Sequence, residues 1–443
     1  MKKAICYSLL MLVWLSVLNY YALTKCAEIN FKVNYFILLF VAFIISVFMR
    51  PSSKKFTKKI NLLEKGKDLL VLFLINLNFE IIITALFVFA WDLRETKAVI
   101  VHIVIAIIIE NIIFFAGIIM VYLSSVQLGI KWRVIGVLCG WIPGANLWAL
   151  IKIIKITASE VIFEKEKQLI NSSRAESFIC QTKYPILLVH GVFFRDFALL
   201  NYWGRIPSHL IKNGAKIYYG EHESAASIEE SGKELAEKIK SIVEKTGCEK
   251  LNIIAHSKGG LDCRYAISHA GANMFTASLT TVNTPHNGCL FADYLLDKIP
   301  AKTQRSIARK YNSASKLIGD KNPDFINAVK GLTSETCCKF NKSTPDAEGI
   351  FYQSIGSKMN KAKSGKFPLN IMYPFVKHFD GENDGLVSLA SMKYGESFTQ
   401  LEAKEGRGIS HGDIIDLNRE NITGFDVREF YAELIQELKA RGL

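Results

Sequence analysis

The sequence predicts two parts: an all-α transmembrane domain of four or five helices, then an α/β domain with a mostly parallel sheet. Apolar runs of about 20 residues, the length that crosses a bilayer, fill the first third of the chain. Short apolar strands then alternate with helical patterns. One strand runs into Ala-His-Ser-Lys-Gly at residues 255–259. We predict membrane helices over residues 1–151, an amphipathic helix and linker over 152–182, and the α/β domain over 183–443.

Four stretches of the N-terminal third are candidate membrane spans: residues 4–23, 31–49, 69–91 and 99–123. The first is interpreted as an uncleaved anchor, because no small-x-small cleavage site follows it. Seven Lys and Arg lie in the loop between the second and third spans. Strongly basic loops stay in the cytoplasm, which predicts a cytoplasmic N-terminus as well.

A fifth apolar stretch, residues 134–151, decides on which side of the membrane the α/β domain lies. It has 18 residues and is interrupted by Gly140, Pro143, Gly144 and Asn146. If it spans the bilayer, the α/β domain is outside; if it lies in the interface, the domain is cytoplasmic. Its flanking lysines and two tryptophans favour the interface. The sequence therefore predicts a multi-pass cell-membrane protein with a cytoplasmic α/β domain.

The net charge of +13 is concentrated in the membrane part. Residues 1–182 hold 20 Lys and Arg against 11 Asp and Glu, whereas residues 183–443 hold 34 against 30. A basic chain is compatible with nucleic-acid binding, but here the excess flanks apolar spans. Membrane topology and anionic lipid account for it, so we expect no nucleic-acid partner. The nine cysteines show no C-x-x-C pair and no zinc spacing.

The α/β domain begins with Tyr184–His190, a short apolar run closed by a glycine, which predicts a buried strand and a tight turn. Lys216–Tyr219 predicts a second strand and Ser227–Lys245 an amphipathic helix. Leu251–His256 predicts a third strand. Alternation of this kind indicates a parallel sheet with helices on both faces.

Ser257 follows the third strand and precedes a predicted helix over Leu261–His269. A G-x-S-x-G turn between a strand and a helix carries the nucleophilic serine of α/β-hydrolases. Ala255 replaces the first glycine of that pattern and is still small enough for a tight turn. We therefore predict Ser257 as the nucleophile.

A nucleophilic serine needs a histidine base, and the base needs an orienting acid. In this fold the acid follows the serine and the histidine comes last. His411, in a glycine-containing loop late in the chain, is the histidine that follows a suitable acid. Asp384, in a polar turn, is the predicted acid, with Asp380 as its competitor. The oxyanion donors should be the backbone N–H of Lys258 and an N–H in the loop after the first strand, at Val192.

Seven segments of residues 183–443 together resemble the secreted bacterial triacylglycerol lipases of the α/β-hydrolase superfamily. The segments are YPILLVHG, NYWGRIP, NGAKIYYGEHESAAS, LNIIAHSKGG, NTPHNGCLFADYLL, NDGLVS and SHGD. The resemblance implies the same triad and the same two oxyanion donors. It also implies a mobile lid over Lys298–Asn341.

The resemblance further implies a structural calcium ion, held by two aspartates and backbone carbonyls. Asp413 matches the second aspartate and is the one candidate calcium ligand. No acidic residue between Phe351 and Phe379 matches the first. We therefore expect no metal, and no cofactor is required by the chemistry.

The sequence predicts a membrane-anchored serine esterase or lipase that hydrolyses the carboxylic esters of lipids through an acyl-enzyme. Its expected partners are a lipid ester substrate and the bilayer. Two alternatives stay open. One is a phospholipase or acyltransferase with the same triad, and the other is a membrane binding or transport protein whose hydrolase-like domain is inactive.

Overall fold

The computed structural model describes residues 53–90, 96–192, 201–223, 225–317, 323–403 and 406–443, with isolated positions between 13 and 44. The chain divides into two compact units, Met1–Ser172 and Ser173–Leu443. The first unit is helical where it is described, and the second holds a six-stranded sheet.

Two long helices of the first unit, α1 (Lys58–Ala90) and α2 (Thr96–Ser124), match the third and fourth predicted spans. Within them, Lys58–Leu86 and Val99–Ser124 are long and apolar enough to cross a membrane. The helices approach each other closely at glycines, because a Cβ at Gly66 would lie 2.9 Å from the carbonyl oxygen of Gly117. The first two predicted spans lie outside the described residues, apart from isolated positions.

The fifth apolar stretch is not one continuous helix. It is divided between α3 (Gly129–Cys139) and α4 (Ala145–Ser173), with a break at residues 140–144 where Gly140, Pro143 and Gly144 lie. The amphipathic helix that was predicted from residue 152 starts earlier, at Ala145, directly after Gly144. It continues without a break to Ser173, because it contains no glycine or proline.

All five strand pairings of the sheet are parallel, in the order β2-β1-β3-β4-β5-β6. The strands are β1 (Ile186–Val189), β2 (Ile217–Tyr219), β3 (Leu251–His256), β4 (Thr276–Val282), β5 (Phe351–Ser357) and β6 (Ser397–Leu401). Strands β1, β3 and β4 are buried along their whole length, as central strands covered on both faces must be. The predicted parallel α/β fold is confirmed.

Side chains of β1 alternate between two hydrophobic cores, one on each face of the sheet. Ile186 and Leu188 belong to the first core, and Leu187 and Val189 belong to the second. The helices are α5 (Ile206–Lys212), α6 (Ile228–Thr246), α7 (Lys258–His269), α8 (Leu290–Lys298), α9 (Ala301–Leu317), α10 (Phe325–Lys330), α11 (Ser334–Ser343), α12 (Leu369–Asp380) and α13 (Val427–Ala440). Helices α5 and α13 contribute to the first core, and α6 and α7 contribute to the second.

The carboxyl ends of parallel strands share one edge of the sheet, and the predicted site residues follow these ends. Gly191 comes after β1, Ser257 after β3 and Asn283 after β4. Asp384 and His411 lie in the connections after α12 and β6. This edge is therefore where the candidate site lies.

Candidate active site

Ser257 forms the turn between β3 and α7 with φ 55° and ψ −133°, in a region that a residue with a side chain rarely occupies. Three hydrogen bonds fix this turn. The N–H of Ser257 donates to Val282 O at 2.9 Å, and its carbonyl accepts from Gly260 N at 3.1 Å and Thr284 Oγ1 at 2.8 Å. Strain held in this way is typical of functional sites.

Helix α7 begins at Lys258, three residues earlier than predicted, because glycines allow its first turn to pack against the sheet. A Cβ at Gly259 would lie 2.4 Å from the carbonyl oxygen of His190, and one at Gly260 would lie 2.2 Å from Oγ1 of Thr284. The two glycines that weaken the helix pattern in the sequence are thus required by the close approach of α7 to its neighbours.

Replacing Gly259 with alanine is expected to destabilise the α/β unit by about 1–3 kcal/mol, the usual cost of overpacking. The clash is with the backbone of His190, which cannot rotate away. The control is Gly331→Ala, whose new methyl group would lie 3.2 Å from the flexible end of Ile228 and 3.4 Å, an ordinary contact distance, from the carbonyl oxygen of Ala328. Thermal unfolding of both variants tests this, and equal melting temperatures would contradict it.

Asp384 and His411 are in direct contact. Asp384 Oδ2 lies 2.6 Å from His411 Nδ1, and the backbone N–H of His411 donates to the carbonyl of Asp384 at 2.9 Å. Because a carboxylate only accepts, Nδ1 carries the proton, which leaves Nε2 as the basic ring nitrogen. The His411 ring centroid lies 4.4 Å from that of His256, the residue directly before Ser257.

The carboxylate of Asp384 is fully buried and accepts hydrogen bonds at both oxygens. Oδ1 accepts from the backbone N–H of Leu386 at 2.9 Å and of Val387 at 2.8 Å. Oδ2 accepts from Asn283 Nδ2 at 2.7 Å, in addition to its contact with His411. These donors replace the hydrogen bonds to water that the carboxylate loses on burial.

Asp380, the competing acid, lies elsewhere. Its two oxygens accept hydrogen bonds from the backbone N–H of Leu290 and Phe291, both at 3.0 Å. It therefore caps the first turn of α8. Among the described residues, the structure brings His411 together with Asp384 and assigns Asp380 a role at a helix end.

Comparisons with known proteins show what this chain is similar to. A family model described as "Putative serine esterase (DUF676)" matches residues 217–307, which include Ser257. The chain is 28% identical over 288 residues to a triacylglycerol lipase of Vibrio cholerae, covering 59% of this chain and 90% of that protein. It is 34% identical over 178 residues to a triacylglycerol lipase of Pseudarthrobacter phenanthrenivorans, covering 38% of this chain and 55% of that protein.

The chain carries a lipase-like serine hydrolase domain. The predicted resemblance to the triacylglycerol lipases is confirmed by these relatives. Among solved structures, the Staphylococcus hyicus lipase aligns with a TM-score of 0.47 at 19% identity, over 59% of this chain and 97% of that one.

Two backbone N–H groups in the lipase-like domain are the predicted oxyanion donors. Lys258 is the first residue of α7, where N–H groups have no partner inside the helix. Val192 lies in the buried loop after β1. The preceding residue, Gly191, lies directly against Ser257, since a Cβ at Gly191 would lie 2.7 Å from Cβ of Ser257. The geometry is compatible with donors on both sides of Ser257.

Tyr202 connects Gly191 to His256, the residue before Ser257, through contacts that the sequence did not indicate. Its hydroxyl accepts from Gly191 N at 3.1 Å and lies 2.6 Å from His256 Nδ1. Asn283 is a second residue that the sequence did not indicate. Besides holding Asp384, its amide Nδ2 donates to Ser357 Oγ at 2.7 Å, and its Oδ1 accepts from Ser357 N at 3.0 Å. The ends of β4 and β5 are therefore tied to the acid.

Burial lowers the pKa of His256 and of His286 well below the ordinary value for histidine, so both rings are neutral in the folded domain. In the unfolded chain each ring takes up a proton below about pH 6.5. The unfolded state then binds more protons, so stability is present above this pH and falls as the pH drops below it.

We expect the melting temperature of the domain to fall between about pH 7.5 and about pH 5.5. A His286→Gln variant should have a shallower pH dependence, because it lacks one of the two rings whose pKa is lowered by burial. The control, His378→Gln, changes an exposed histidine and should retain the wild-type slope. A His286→Gln slope equal to that of wild type would contradict this account.

The side chain of Lys258, the residue after Ser257, is fully buried. Its Nζ donates to Asp262 Oδ1 at 2.7 Å, to Asp262 Oδ2 at 2.9 Å and to Ser231 Oγ at 3.0 Å. His222 Nε2 lies 3.5 Å from Asp262 Oδ2. The His222 ring stacks on the ring of His190, with 4.2 Å between the two ring centroids. Burial raises the pKa of Asp262 to about 6, and the ammonium of Lys258 opposes this shift. The sequence predicted only the backbone N–H of Lys258.

The residues around Asp413 do not fit a calcium ion. Asp413 Oδ1 already lies 3.2 Å from the guanidinium of Arg407, and its Oδ2 accepts from Ser410 N at 2.9 Å. Across the described ranges, no group of three or more His, Cys, Asp or Glu could hold a metal. A cation of the protein therefore occupies the position beside the one candidate ligand.

Proposed function

We propose that the chain is a membrane-anchored serine hydrolase that cleaves the carboxylic esters of lipids, with Ser257 as nucleophile, His411 as base and Asp384 as the orienting acid. One observation carries the proposal: the His411–Asp384 pair lies at the same edge of the sheet as the strained Ser257 turn, with the His411 ring centroid 4.4 Å from that of His256, the residue before Ser257. Relatives named triacylglycerol lipase support a lipid ester as substrate.

In the first half of the reaction, His411 Nε2 removes the proton of Ser257 Oγ, and the oxygen attacks the ester carbonyl carbon. The carbonyl oxygen becomes an oxyanion, which the N–H groups of Val192 and Lys258 stabilise. When the tetrahedral intermediate collapses, His411 donates its proton to the departing alcohol. An acyl group then remains on Ser257.

In the second half, His411 removes a proton from a water molecule, which attacks the acyl carbon. When the second tetrahedral intermediate collapses, the fatty acid leaves and His411 returns its proton to Ser257 Oγ. In both halves the buried carboxylate of Asp384 stabilises the positively charged imidazolium. The chain's own residues account for every proton transfer, so the proposal includes no cofactor.

Membrane anchoring is supported by α1 and α2, the two helices with candidate spans. We propose four spans in all, with the broken stretch at residues 134–151 in the membrane interface and the catalytic domain in the cytoplasm. The break at residues 140–144 and the exposed Trp141 are consistent with an interfacial position. Tethering raises the local concentration of membrane lipid near the active site, which favours glycerolipids over soluble esters.

Fatty acid release by the full chain, purified in detergent or in its membrane, tests the function. We expect the wild type to release fatty acid from triacylglycerol, Ser257→Ala to release none, and the exposed control Ser208→Ala to match the wild type. Release from phosphatidylcholine alone would indicate a phospholipase, and acyl transfer to an added alcohol would indicate an acyltransferase. Equal release by wild type and Ser257→Ala would contradict the proposal.

A further inference from the structure

Arg407 lies four residues before His411 in the connection after β6, and its guanidinium bridges three oxygen acceptors. Nη2 of Arg407 donates to Ser364 O at 2.9 Å, to Glu420 Oε2 at 3.0 Å and to Asp413 Oδ1 at 3.2 Å. The acceptors come from three different parts of the chain. One guanidinium therefore joins the segment before the loop, the loop itself and the segment after it.

The backbone of this loop is paired with its neighbours on both sides. Arg407 O accepts from Asn360 N at 3.2 Å, and the N–H of Ile409 donates to Lys358 O at 2.7 Å. Further along, the N–H of His411 donates to Asp384 O at 2.9 Å. The position of Arg407 thus sets where the loop starts, and His411 reaches Asp384 only four residues later.

Asp413 connects the guanidinium to the residue next to the base. Its side chain is 2% exposed, and its Oδ2 accepts from the backbone N–H of Ser410 at 2.9 Å. Without Arg407, a nearly buried carboxylate would lose its cation beside His411. Because such a charge is costly to leave unpaired, the loop would rearrange to reach water or another cation.

We infer that Arg407 is a positioning residue that holds the His411 loop in its reactive position, and that it does so without calcium. The resemblance to bacterial lipases implies a calcium ion at Asp413, yet that carboxylate is paired with Arg407, and Glu420 is paired with both Arg407 and Lys366. A divalent cation placed there would be repelled by the guanidinium. The inference rests on the proposed role of His411.

The test compares Arg407→Gln, Arg407→Lys and the charge-matched surface control Lys233→Gln in the full-length protein. We expect Arg407→Gln to lower kcat by about 10²-fold, the usual effect of misplacing a catalytic group by about 1 Å. KM should stay within about threefold, since substrate contacts are unchanged. Arg407→Lys, which keeps the charge, should recover part of the lost kcat, and Lys233→Gln should match the wild type.

A second arm measures turnover of the wild type in excess EDTA and then with added calcium. Unchanged turnover supports the inference. Loss of turnover in EDTA with recovery in calcium overturns it, as does an Arg407→Gln variant with wild-type kcat. Labelling of Ser257 by a fluorophosphonate separates the two proposals: a wild type that neither labels nor turns over overturns the proposed function and this inference together. A wild type that labels while Arg407→Gln remains fully active overturns the inference alone.

Discussion

Replacing Asp384 with asparagine is expected to lower kcat by about 10⁴-fold, as loss of the acid does in other serine hydrolases. The hydrogen bonds around Asp384 explain why. Oδ1 accepts from two backbone N–H groups, those of Leu386 and Val387, so the amide oxygen of an asparagine must take that position. The amide NH₂ then points at His411 Nδ1 and favours the tautomer that is protonated on Nε2. His411 can no longer accept the serine proton.

The matched control is Asp380→Asn, four residues away. Asp380 caps α8 through two backbone N–H groups and has no contact with His411 among its described hydrogen bonds. Loss of a cap costs about 0.5–2 kcal/mol of stability, and kcat should remain near that of wild type. Steady-state kinetics on a soluble ester measure kcat for Asp384→Asn and for Asp380→Asn. A large kcat loss for Asp380→Asn, or an active Asp384→Asn, would contradict the assignment.

Replacing Lys258 with methionine is expected to lower the free energy of unfolding by about 3–5 kcal/mol. Both Lys258 and Asp262 are 1% exposed, so removal of the ammonium leaves the Asp262 carboxylate buried without its bidentate partner. An exposed pair of the same spacing, Lys233 with Glu229, provides the control. Its loss, in Lys233→Met, should leave the unfolding midpoint close to that of the wild type, because exposed ion pairs contribute little to stability.

The double variant Lys258→Met with Asp262→Leu distinguishes lost charge pairing from lost packing. Because it removes both charges together, it should recover most of the stability that the single variant loses. Denaturant unfolding followed by tryptophan fluorescence measures all of these variants. A double variant that is less stable than Lys258→Met would show that the Lys258 side chain acts through packing instead.

Local residue patterns in the sequence predicted the buried strands and the tight turn at Ser257. Leu251–His256 is a continuous apolar run because β3 is buried on both faces, and small residues follow it because α7 passes close to His190 and Thr284. The order of Ser257, Asp384 and His411 along the chain reflects the topology of a parallel sheet. These features can be predicted from the sequence because buried strands and tight turns allow only a few residue types.

Contacts between residues that are far apart in the sequence could not be predicted from local patterns. Asn283 reaches Asp384 across 101 positions, and nothing in its Asn-Thr-Pro-His turn indicates where the amide points. The pairing of Lys258 with Asp262 has helical i,i+4 spacing, but that spacing is typical of exposed surfaces too. The break of residues 134–151 into two helices was signalled by Gly140, Pro143 and Gly144.

Covalent labelling of the intact chain with a fluorophosphonate tests the central claim most directly, because the reagent reacts with a serine only when an adjacent base activates it. We expect the wild type to incorporate one label on the peptide that contains Ser257. Ser257→Ala should incorporate none, and Ser208→Ala should label as the wild type does. An intact protein that stays unlabelled, or a Ser257→Ala variant that labels equally, would contradict the account.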